Sequence, residues 1–192
     1  MTKIILASGS FLKKFIMDAS KLSYEVVAAD IDESIYDNLA VSERVVELAE
    51  DKCNKVAAMY PDSVVIAADT LTADESGLVY TKLTGEDDPI KAAVALSGQT
   101  INVLTGCAVY TPETGVKSIL ATATIAYQTF TEANLRRLAS DDNPNIRSGA
   151  LGIFYDAPGF TLIERIEGSY TGAFGLPMEF VYAQLGNTVG EK

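Results

Sequence analysis

The chain has 192 residues, of which 48% are hydrophobic and 21% charged, and its mean hydropathy is +0.16. This composition supplies enough apolar side chains for a core and excludes a disordered chain. Lysine and arginine number 15 against 26 aspartate and glutamate, and the net charge of −11 disfavours nucleic acid or an acidic membrane as a partner. The sequence contains no histidine, which excludes Ser-His-Asp nucleophiles and histidine-ligated zinc, so acid–base chemistry must use carboxylates, lysine or tyrosine.

The length and the cysteine usage predict a single domain in a reducing compartment. A chain of this size fits one compact domain over residues 1–192. Cys53 and Cys107 are far apart and lack a CxxC spacing, which argues against a disulfide scaffold and favours the cytoplasm. The apolar run 4–7 is too short for a signal peptide, and no apolar segment approaches the roughly 20 residues that cross a bilayer. We therefore expect a cytoplasmic protein that does not enter a membrane.

The first elements predict an anion site. Residues 4–7 read as a buried strand that stops at a Ser-Gly-Ser turn, and an amphipathic helix with Lys13 and Lys14 in its first turn follows. Hydroxyls, free backbone N–H groups and cations at a helix entrance favour the binding of an anion. Residues 22–28 then alternate as a half-buried strand, which leads into the acidic stretch 30–33.

A second strand predicts a carboxylate in a position suited to chemistry. Apolar residues keep helical spacing from Ser42, a plausible N-cap, until Pro61. A continuous apolar strand over 64–68 follows and ends at Asp69. Ligands often bind beyond the carboxyl end of a buried strand, which makes Asp69 a candidate catalytic residue.

The second half of the chain predicts a hairpin and four further elements. Residues 99–110 and 116–129 alternate as strands about the turn 111–115, and a helix runs from Asp88-Pro89 to Ser97-Gly98. Thr131 caps a short helix, residues 160–166 form a strand, and Gly175-Leu176-Pro177 opens the last helix. Strands and helices interleave while the hairpin is antiparallel, so the predicted fold class is α/β with a mixed sheet flanked by helices.

Taken in order, these motifs resemble the Maf family of nucleotide pyrophosphatases, and the resemblance runs nearly end to end. The matching segments are Ile4 to Ser10, 30–33, Lys52, 67–70, Lys82, 96–98, 105–106, 148–150, 168–170 and 175–177. The resemblance implies an elongated fold, similar to that of inosine triphosphate pyrophosphatases, with a central mixed sheet, two lobes and a cleft between them. It also implies a homodimer, and hydrolysis of a nucleoside triphosphate to the monophosphate and pyrophosphate with a divalent metal, Mg²⁺ or Mn²⁺.

This chemistry assigns roles to particular residues. Attack of water at the α-phosphorus needs a carboxylate to orient the water and cations to neutralise charge. Asp69 is the catalytic candidate, and with Glu33 it would hold the metal, because two carboxylates suffice for Mg²⁺. The residues expected to bind the substrate are Ser8, Ser10, Lys13, Lys52 and Lys82. The alternatives are a turn cap for Asp69, a solvated loop for Glu33, helix caps for the serines and exposed helix positions for the lysines of the two helices.

Departures from the family pattern bear on the substrate. Where family members carry two arginines, this chain has Leu12 and Lys13, and a point charge replaces a forked phosphate contact. Leu12, Phe154 and the segment 160–165 resemble the branch that acts on 7-methyl-GTP, whereas Asp69-Thr70 resembles the dTTP/UTP branch. The expected substrate is 7-methyl-GTP, with dTTP/UTP as the alternative. A non-enzymatic nucleotide-binding regulator is the second hypothesis, and a structural interaction protein is the third.

Overall fold

The computed structural model describes residues 2–74, 79–80, 90, 94–138 and 162–186. Its strands are β1 Ile4–Leu6, β2 Glu25–Val26, β3 Val64–Asp74, β4 Val79–Tyr80, β5 Thr100–Thr111, β6 Gly115–Tyr127 and β7 Ile163–Gly168. Its helices are α1 Phe11–Ser20, α2 Val41–Met59, α3 Glu132–Leu138 and α4 Met178–Leu185, with 3-10 helices at Glu33–Tyr36 and Gly172–Phe174. None of the helices in these described ranges is long and apolar enough to span a membrane.

The strands form a mixed sheet in the order β2-β1-β3-β5-β6-β7, with β4 beside β3. β1 lies parallel to both of its neighbours and pairs Leu6 with Val26 on one side and with Ile66 on the other. β4 is antiparallel to β3, and β7 is antiparallel to β6. The prediction of an α/β fold with a mixed sheet flanked by helices is therefore confirmed.

The chain divides into two compact units. The first comprises Met1–Thr70, Leu104–Thr122 and Ser169–Lys192, and the second comprises Leu71–Val103 and Ala123–Gly168. Three of the boundaries between them fall within β3, β5 and β6, and the fourth follows the last residue of β7. A single domain over residues 1–192 stays a prediction.

The first unit has a core on each face of its parallel strands. Side chains alternate along a strand, so Leu6 and Ile66 face α1 and α4 while Ile5 and Val65 face α2. This double burial explains why β1 and the start of β3 are continuous apolar runs. The two cysteines are free and buried, one in each core, and burial raises the pKa of Cys53 to about 12.

The second unit contains the far ends of the predicted hairpin and the short helix α3. Thr131 caps α3 as predicted, because its Oγ1 accepts a hydrogen bond from the Asn134 N–H at 3.2 Å. The Oδ1 atom of Asn134 accepts one in return from the Thr131 N–H at 2.9 Å, which completes a reciprocal cap. The three-residue turn 112–114 joins β5 to β6, which confirms the hairpin.

Several predicted boundaries are wrong. α2 begins at Val41 after Ala40, whose carbonyl accepts from the Arg44 N–H at 2.8 Å, so Ser42 lies inside the helix and does not cap it. β2 comprises Glu25 and Val26 alone, and both are exposed, because only these two residues pair with β1. β7 runs over 163–168 where a strand over 160–166 was predicted. The predicted start of a helix at Asp88-Pro89 lies outside the described residues.

β3 does not end at Asp69, contrary to the prediction. The strand continues to Asp74 because its extension pairs with β4, where Thr72 lies opposite Tyr80 and Ala73 opposite Val79. Asp69 therefore lies in the middle of a strand and is buried. A carboxylate in that position requires a compensating partner, since burying an unpaired charge is costly.

Candidate active site

The parallel strands β1 and β2 end on the same side of the first unit, where β3 continues past them. The Ala7 N–H donates to the Ile66 carbonyl at 2.8 Å, and the Val27 N–H donates to the Leu6 carbonyl at 3.1 Å. The segments 8–10 and 27–33 therefore leave the sheet next to the part of β3 that begins at residue 67. The carboxyl ends of parallel strands are where α/β folds bind ligands.

Lys52, Glu33 and Asp69 form a charged cluster. The Nζ atom of Lys52 lies 2.7 Å from Asp69 Oδ1 and 2.7 Å from Glu33 Oε1. Lys52 and Asp69 are each only 8% exposed, whereas the Glu33 side chain is 46% exposed. Burial depresses the pKa of Lys52, but Asp69 and then Glu33 more than offset it, so the pKa is raised. The ammonium therefore stays charged and holds two carboxylates together.

The packing of α2 explains why Lys52 is buried. Ala49, Cys53 and Val56 of this helix face the sheet, and Lys52 precedes Cys53 at the edge of that apolar face. Its side chain is buried, and its ammonium must therefore find anionic partners. The interpretation of Lys52 as an exposed helix residue is therefore wrong. Its nitrogen contacts the two predicted metal-binding carboxylates, and its contact with the triphosphate stays a prediction.

The acidic segment that carries Glu33 is attached to α2. Tyr36 donates its hydroxyl hydrogen to Asp51, and this bond raises the pKa of Tyr36 to about 12. Lys55 donates to the Asp30 carbonyl, and Arg44 forms an ion pair of 2.8 Å with Asp37. Glu33 thus begins a 3-10 helix that is attached to α2, while its side chain stays half exposed, as the alternative of a solvated loop expects.

Sequence reasoning missed the residues that make these attachments. Asp51 and Lys55 flank Lys52 on the same helix, at one position before it and three after it. This cluster of charges on α2 was the signal that the sequence offered. The partners of Asp51 and Lys55 lie 15 and 25 residues away along the chain, however, and the sequence does not identify them. Only the folded chain shows which of them meet.

The predicted anion site at the start of α1 is built from Ser8 and Ser10. Ser8 Oγ accepts the Ser10 N–H at 3.2 Å, whereas the Ser10 side chain makes no capping bond to the helix. Ser10 is the N-cap by position alone, and a Cβ built at Gly9 would meet nothing within 4 Å. The Ser-Gly-Ser turn therefore leaves open space at the amino end of a ten-residue helix.

Lys13 lies buried on α1, with an exposed fraction of 8%. A Cβ built at Gly175 would lie 3.6 Å from Lys13 Nζ and 3.1 Å from Thr70 Oγ1, so the ammonium sits close to the residue that follows Asp69. The interpretation of Lys13 as an exposed helix residue is therefore wrong. The fold brings its positive charge close to Thr70, and the binding of phosphate by Lys13 stays a prediction.

A hydrogen-bonded path leads away from Thr70. Thr70 Oγ1 and Thr105 Oγ1 are 3.1 Å apart, and Thr105 Oγ1 donates to the Gly172 carbonyl at 2.9 Å. Thr105 is fully buried, and a Cβ at the adjacent Gly106 would collide with the Val45 carbonyl, 1.9 Å away. The Thr105-Gly106 pair thus allows β5 to pack closely against α2 while it connects β3 to the turn at Gly172.

Lys82 and Phe154 lie outside the described residues, whereas both predicted metal ligands, Glu33 and Asp69, lie within them. Within the ranges that the structure describes, no three or more acidic or cysteine side chains converge on one point. Glu33 and Asp69 do converge on one cation, the Lys52 ammonium, and carboxylate oxygens are the donors that Mg²⁺ takes. Their donor chemistry therefore fits a divalent metal.

Comparison with known proteins decides the family. The family model described as Maf-like protein matches residues 3–188. The chain belongs to the Maf family. A curated Maf-family relative from Bacillus pumilus, named dTTP/UTP pyrophosphatase, is 32% identical over 178 residues, which cover 93% of this chain and 92% of the relative. Another with the same name, from Chromobacterium violaceum, is 34% identical over 184 residues, covering 92% and 90%.

A likeness to a solved structure is weaker. The nucleoside-triphosphatase / dITP/XTP pyrophosphatase of Mycobacterium abscessus is 16% identical with a TM-score of 0.41, and the match covers 66% of this chain and 74% of that one. A likeness of this size carries no argument about the Maf-family chain. Membership rests on the family model and on the curated relatives.

Proposed function

We propose that this Maf-family protein is a nucleoside triphosphate pyrophosphatase, which hydrolyses its substrate to the monophosphate and pyrophosphate. The observation that carries the proposal is the Glu33–Lys52–Asp69 cluster, in which Asp69 lies on β3 beyond the end of β1. The names of the curated relatives, dTTP/UTP pyrophosphatases at 30–34% identity, support the same reaction.

In the proposed reaction a water oxygen attacks the α-phosphorus and the bond from that phosphorus to the bridging oxygen breaks. Pyrophosphate leaves with the electron pair of that bond, and Asp69 orients the water and accepts its proton. Lys52 holds Asp69 in place through the 2.7 Å bond and fixes the direction of its free lone pairs. Asp69 is the catalytic candidate in this scheme, and Lys52 is a positioning residue.

The triphosphate would lie at the start of α1, against the Ser-Gly-Ser turn and the ammonium of Lys13. The open Ser8-Gly9-Ser10 turn offers hydroxyl groups, and the N-terminus of α1 offers a favourable dipole. Lys13 adds a buried positive charge, which is strong because little water screens it. Lys82 stays a prediction for the same role. A local site of this kind attracts an anion although the whole chain carries a charge of −11.

We also propose that Glu33 and Asp69 hold a divalent cation, Mg²⁺ or Mn²⁺. When bound, the metal would neutralise charge on the phosphates. Mg²⁺ commonly takes one or two carboxylates and completes its shell with water and substrate phosphate, so this pair is sufficient. Glu33 is half exposed, which leaves its carboxylate accessible from solvent.

For the base, we propose a pyrimidine nucleotide, dTTP or UTP. The curated relatives at about one third identity carry that name over more than nine-tenths of this chain. The expectation of 7-methyl-GTP rests on Leu12, Phe154 and the segment 160–165, of which Phe154 and residues 160–161 lie outside the described residues. It stays a prediction that the relatives do not support.

The test is release of pyrophosphate from dTTP, UTP, 7-methyl-GTP, GTP, CTP and ITP, with Mg²⁺ or Mn²⁺ and with neither. We expect turnover of dTTP and UTP that needs the metal. Preference for 7-methyl-GTP would overturn the proposed base but leave the reaction intact. Absence of turnover across the panel would overturn the proposal that the protein is an enzyme. A nucleotide-dependent rise in melting temperature would then favour the hypothesis of a non-enzymatic nucleotide-binding regulator.

A further inference from the structure

The turn that approaches Lys13 is held by a carboxylate that no family motif singles out. Glu179 lies in the first turn of α4 and uses both of its oxygens. Ser169 donates its hydroxyl hydrogen to Oε1, and Thr171 donates to Oε2 at 2.9 Å. The two donors lie on either side of Tyr170, so Glu179 fixes the beginning of the turn.

The same hydroxyl groups also accept hydrogen bonds from the backbone. Ser169 Oγ accepts from the Gly172 N–H at 3.0 Å, and Thr171 Oγ1 accepts from the Met178 N–H at 2.8 Å. The Gly175 N–H closes the turn by donating to the Gly172 carbonyl at 2.9 Å. Glu179 therefore constrains the turn from its start to the first residue of α4.

The end of this turn contacts the candidate site. Gly175 has φ of +97°, a conformation that residues with a side chain rarely adopt. A Cβ there would lie 3.1 Å from Thr70 Oγ1 and 3.6 Å from Lys13 Nζ. The backbone of Gly175 thus fits against both side chains, and a shift of the turn would change the space that the Lys13 ammonium occupies.

We propose that Glu179 is a positioning residue for substrate binding, which acts by holding the turn 169–175 against Lys13. The inference rests on the proposed function for the identity of the substrate, a nucleoside triphosphate. Glu179 itself touches neither Lys13 nor Thr70 through any hydrogen bond in the described part of the chain. Its effect is therefore expected on phosphate binding, with the chemical step unchanged.

The variants are Glu179→Ala, the milder Glu179→Gln, Lys13→Gln and the double variant Lys13→Gln/Glu179→Ala. Glu43→Ala is the matched control, because Glu43 is an exposed acid in the first turn of α2 and its loss changes a helix dipole in the same way. For each variant we would measure kcat and KM for the best nucleotide, the affinity for inorganic pyrophosphate by calorimetry, and the melting temperature.

Glu179→Ala is expected to raise KM and to weaken pyrophosphate binding, each about tenfold. The value of kcat should stay within about twofold of the native value, because the bound substrate and the transition state lose the same interaction. Glu179→Gln, which keeps one acceptor oxygen, is expected to fall between Glu179→Ala and the native protein. On the Lys13→Gln background the alanine change should add little, because coupled residues are not additive.

Independent effects of the two substitutions would overturn the proposal, as would a lower melting temperature with KM and pyrophosphate affinity unchanged. A native protein that binds pyrophosphate but hydrolyses no nucleotide would overturn the proposed function alone. The pyrophosphate affinities of the two single variants and the double variant would still decide the role of Glu179. A native protein that does neither would overturn both.

Discussion

Lys52 on α2 and Asp69 on β3 are joined by a hydrogen bond of 2.7 Å between Nζ and Oδ1, and both side chains are buried. The same nitrogen reaches Glu33 at 2.7 Å, so one ammonium compensates two carboxylates. A buried charge that loses its partner is strongly destabilising. Stability and chemistry are therefore linked at these three residues, and substitutions there must be measured for both.

Asp69→Asn should abolish most of the activity while the protein stays folded. The amide keeps the shape of the carboxylate but cannot take a proton from water, which predicts a loss of about 10²–10⁴-fold in kcat. Unfolding free energy should fall by about 1–3 kcal/mol, because the Lys52 ammonium keeps Glu33 as a partner. Asp62→Asn, on the exposed turn before the same strand, is the control. Full activity of the Asp69 variant would exclude it as the base.

Lys52→Met should destabilise the protein and make it more responsive to a divalent cation. Removal of the ammonium leaves Glu33 and Asp69 facing one another, at a cost of about 3 kcal/mol. Mg²⁺ can compensate the same pair, so it should raise the melting temperature of the variant more than that of the native protein. Lys117→Met, at an exposed position on β6, should show no such gain. An equal response of both variants would count against a metal between the two carboxylates.

Gly175→Ala should impair substrate binding as well as stability. The positive φ costs about 1–3 kcal/mol, and the new methyl group would crowd Thr70 Oγ1 and Lys13 Nζ. Gly115→Ala separates the two effects, because Gly115 has φ of +70° but a Cβ there meets nothing within 4 Å. Both variants should lose stability, and only the Gly175 variant should show a raised KM. A raised KM in both would point to a general effect of destabilisation.

The ionised carboxylate of Glu179 should stabilise the folded protein at neutral pH, and this contribution should be lost as the pH falls into the acid range. Burial pulls its pKa upward, but hydrogen bonds from Ser169, its own backbone and Thr171 outweigh this and lower the pKa below the ordinary value of a glutamate. The folded protein therefore holds the carboxylate ionised to a lower pH than the unfolded chain does, and stability falls as the pH drops from about 5 through the folded pKa. Urea unfolding at pH 7 and pH 3.5 should show a smaller acid loss for Glu179→Gln than for the native protein. An unchanged acid loss would contradict this.

The sequence predicted the strands of the core, the mixed character of the sheet and the hairpin. The apolar runs over 4–7 and 64–68 are buried on both faces, and the hairpin falls within two residues of its predicted ends. These features follow from local patterning, since burial on two faces requires an unbroken apolar strand. The continuation of β3 to Asp74 was not predicted, because it depends on pairing with β4.

The site was predicted in its residue types and missed in its contacts. Glu33, Lys52 and Asp69 were all named from the sequence, but the ion pairs by which Lys52 joins the two carboxylates were not predicted. Tyr36, Lys55 and Glu179 were not named at all. Each acts through a partner at a separation that no motif specifies, up to 25 residues for Lys55 and Asp30.

The sequence alone determined the α/β fold class, the exclusion of histidine chemistry and the presence of carboxylates and lysines beside the predicted strands. Those properties depend on composition and on periodicity along the chain. Tertiary structure decided that Lys13 and Lys52 are buried, that Lys52 holds Glu33 to Asp69, and that Gly175 lies against Lys13. These are contacts between distant segments, and they form only when packing of α1, α2 and α4 on the sheet brings the segments together.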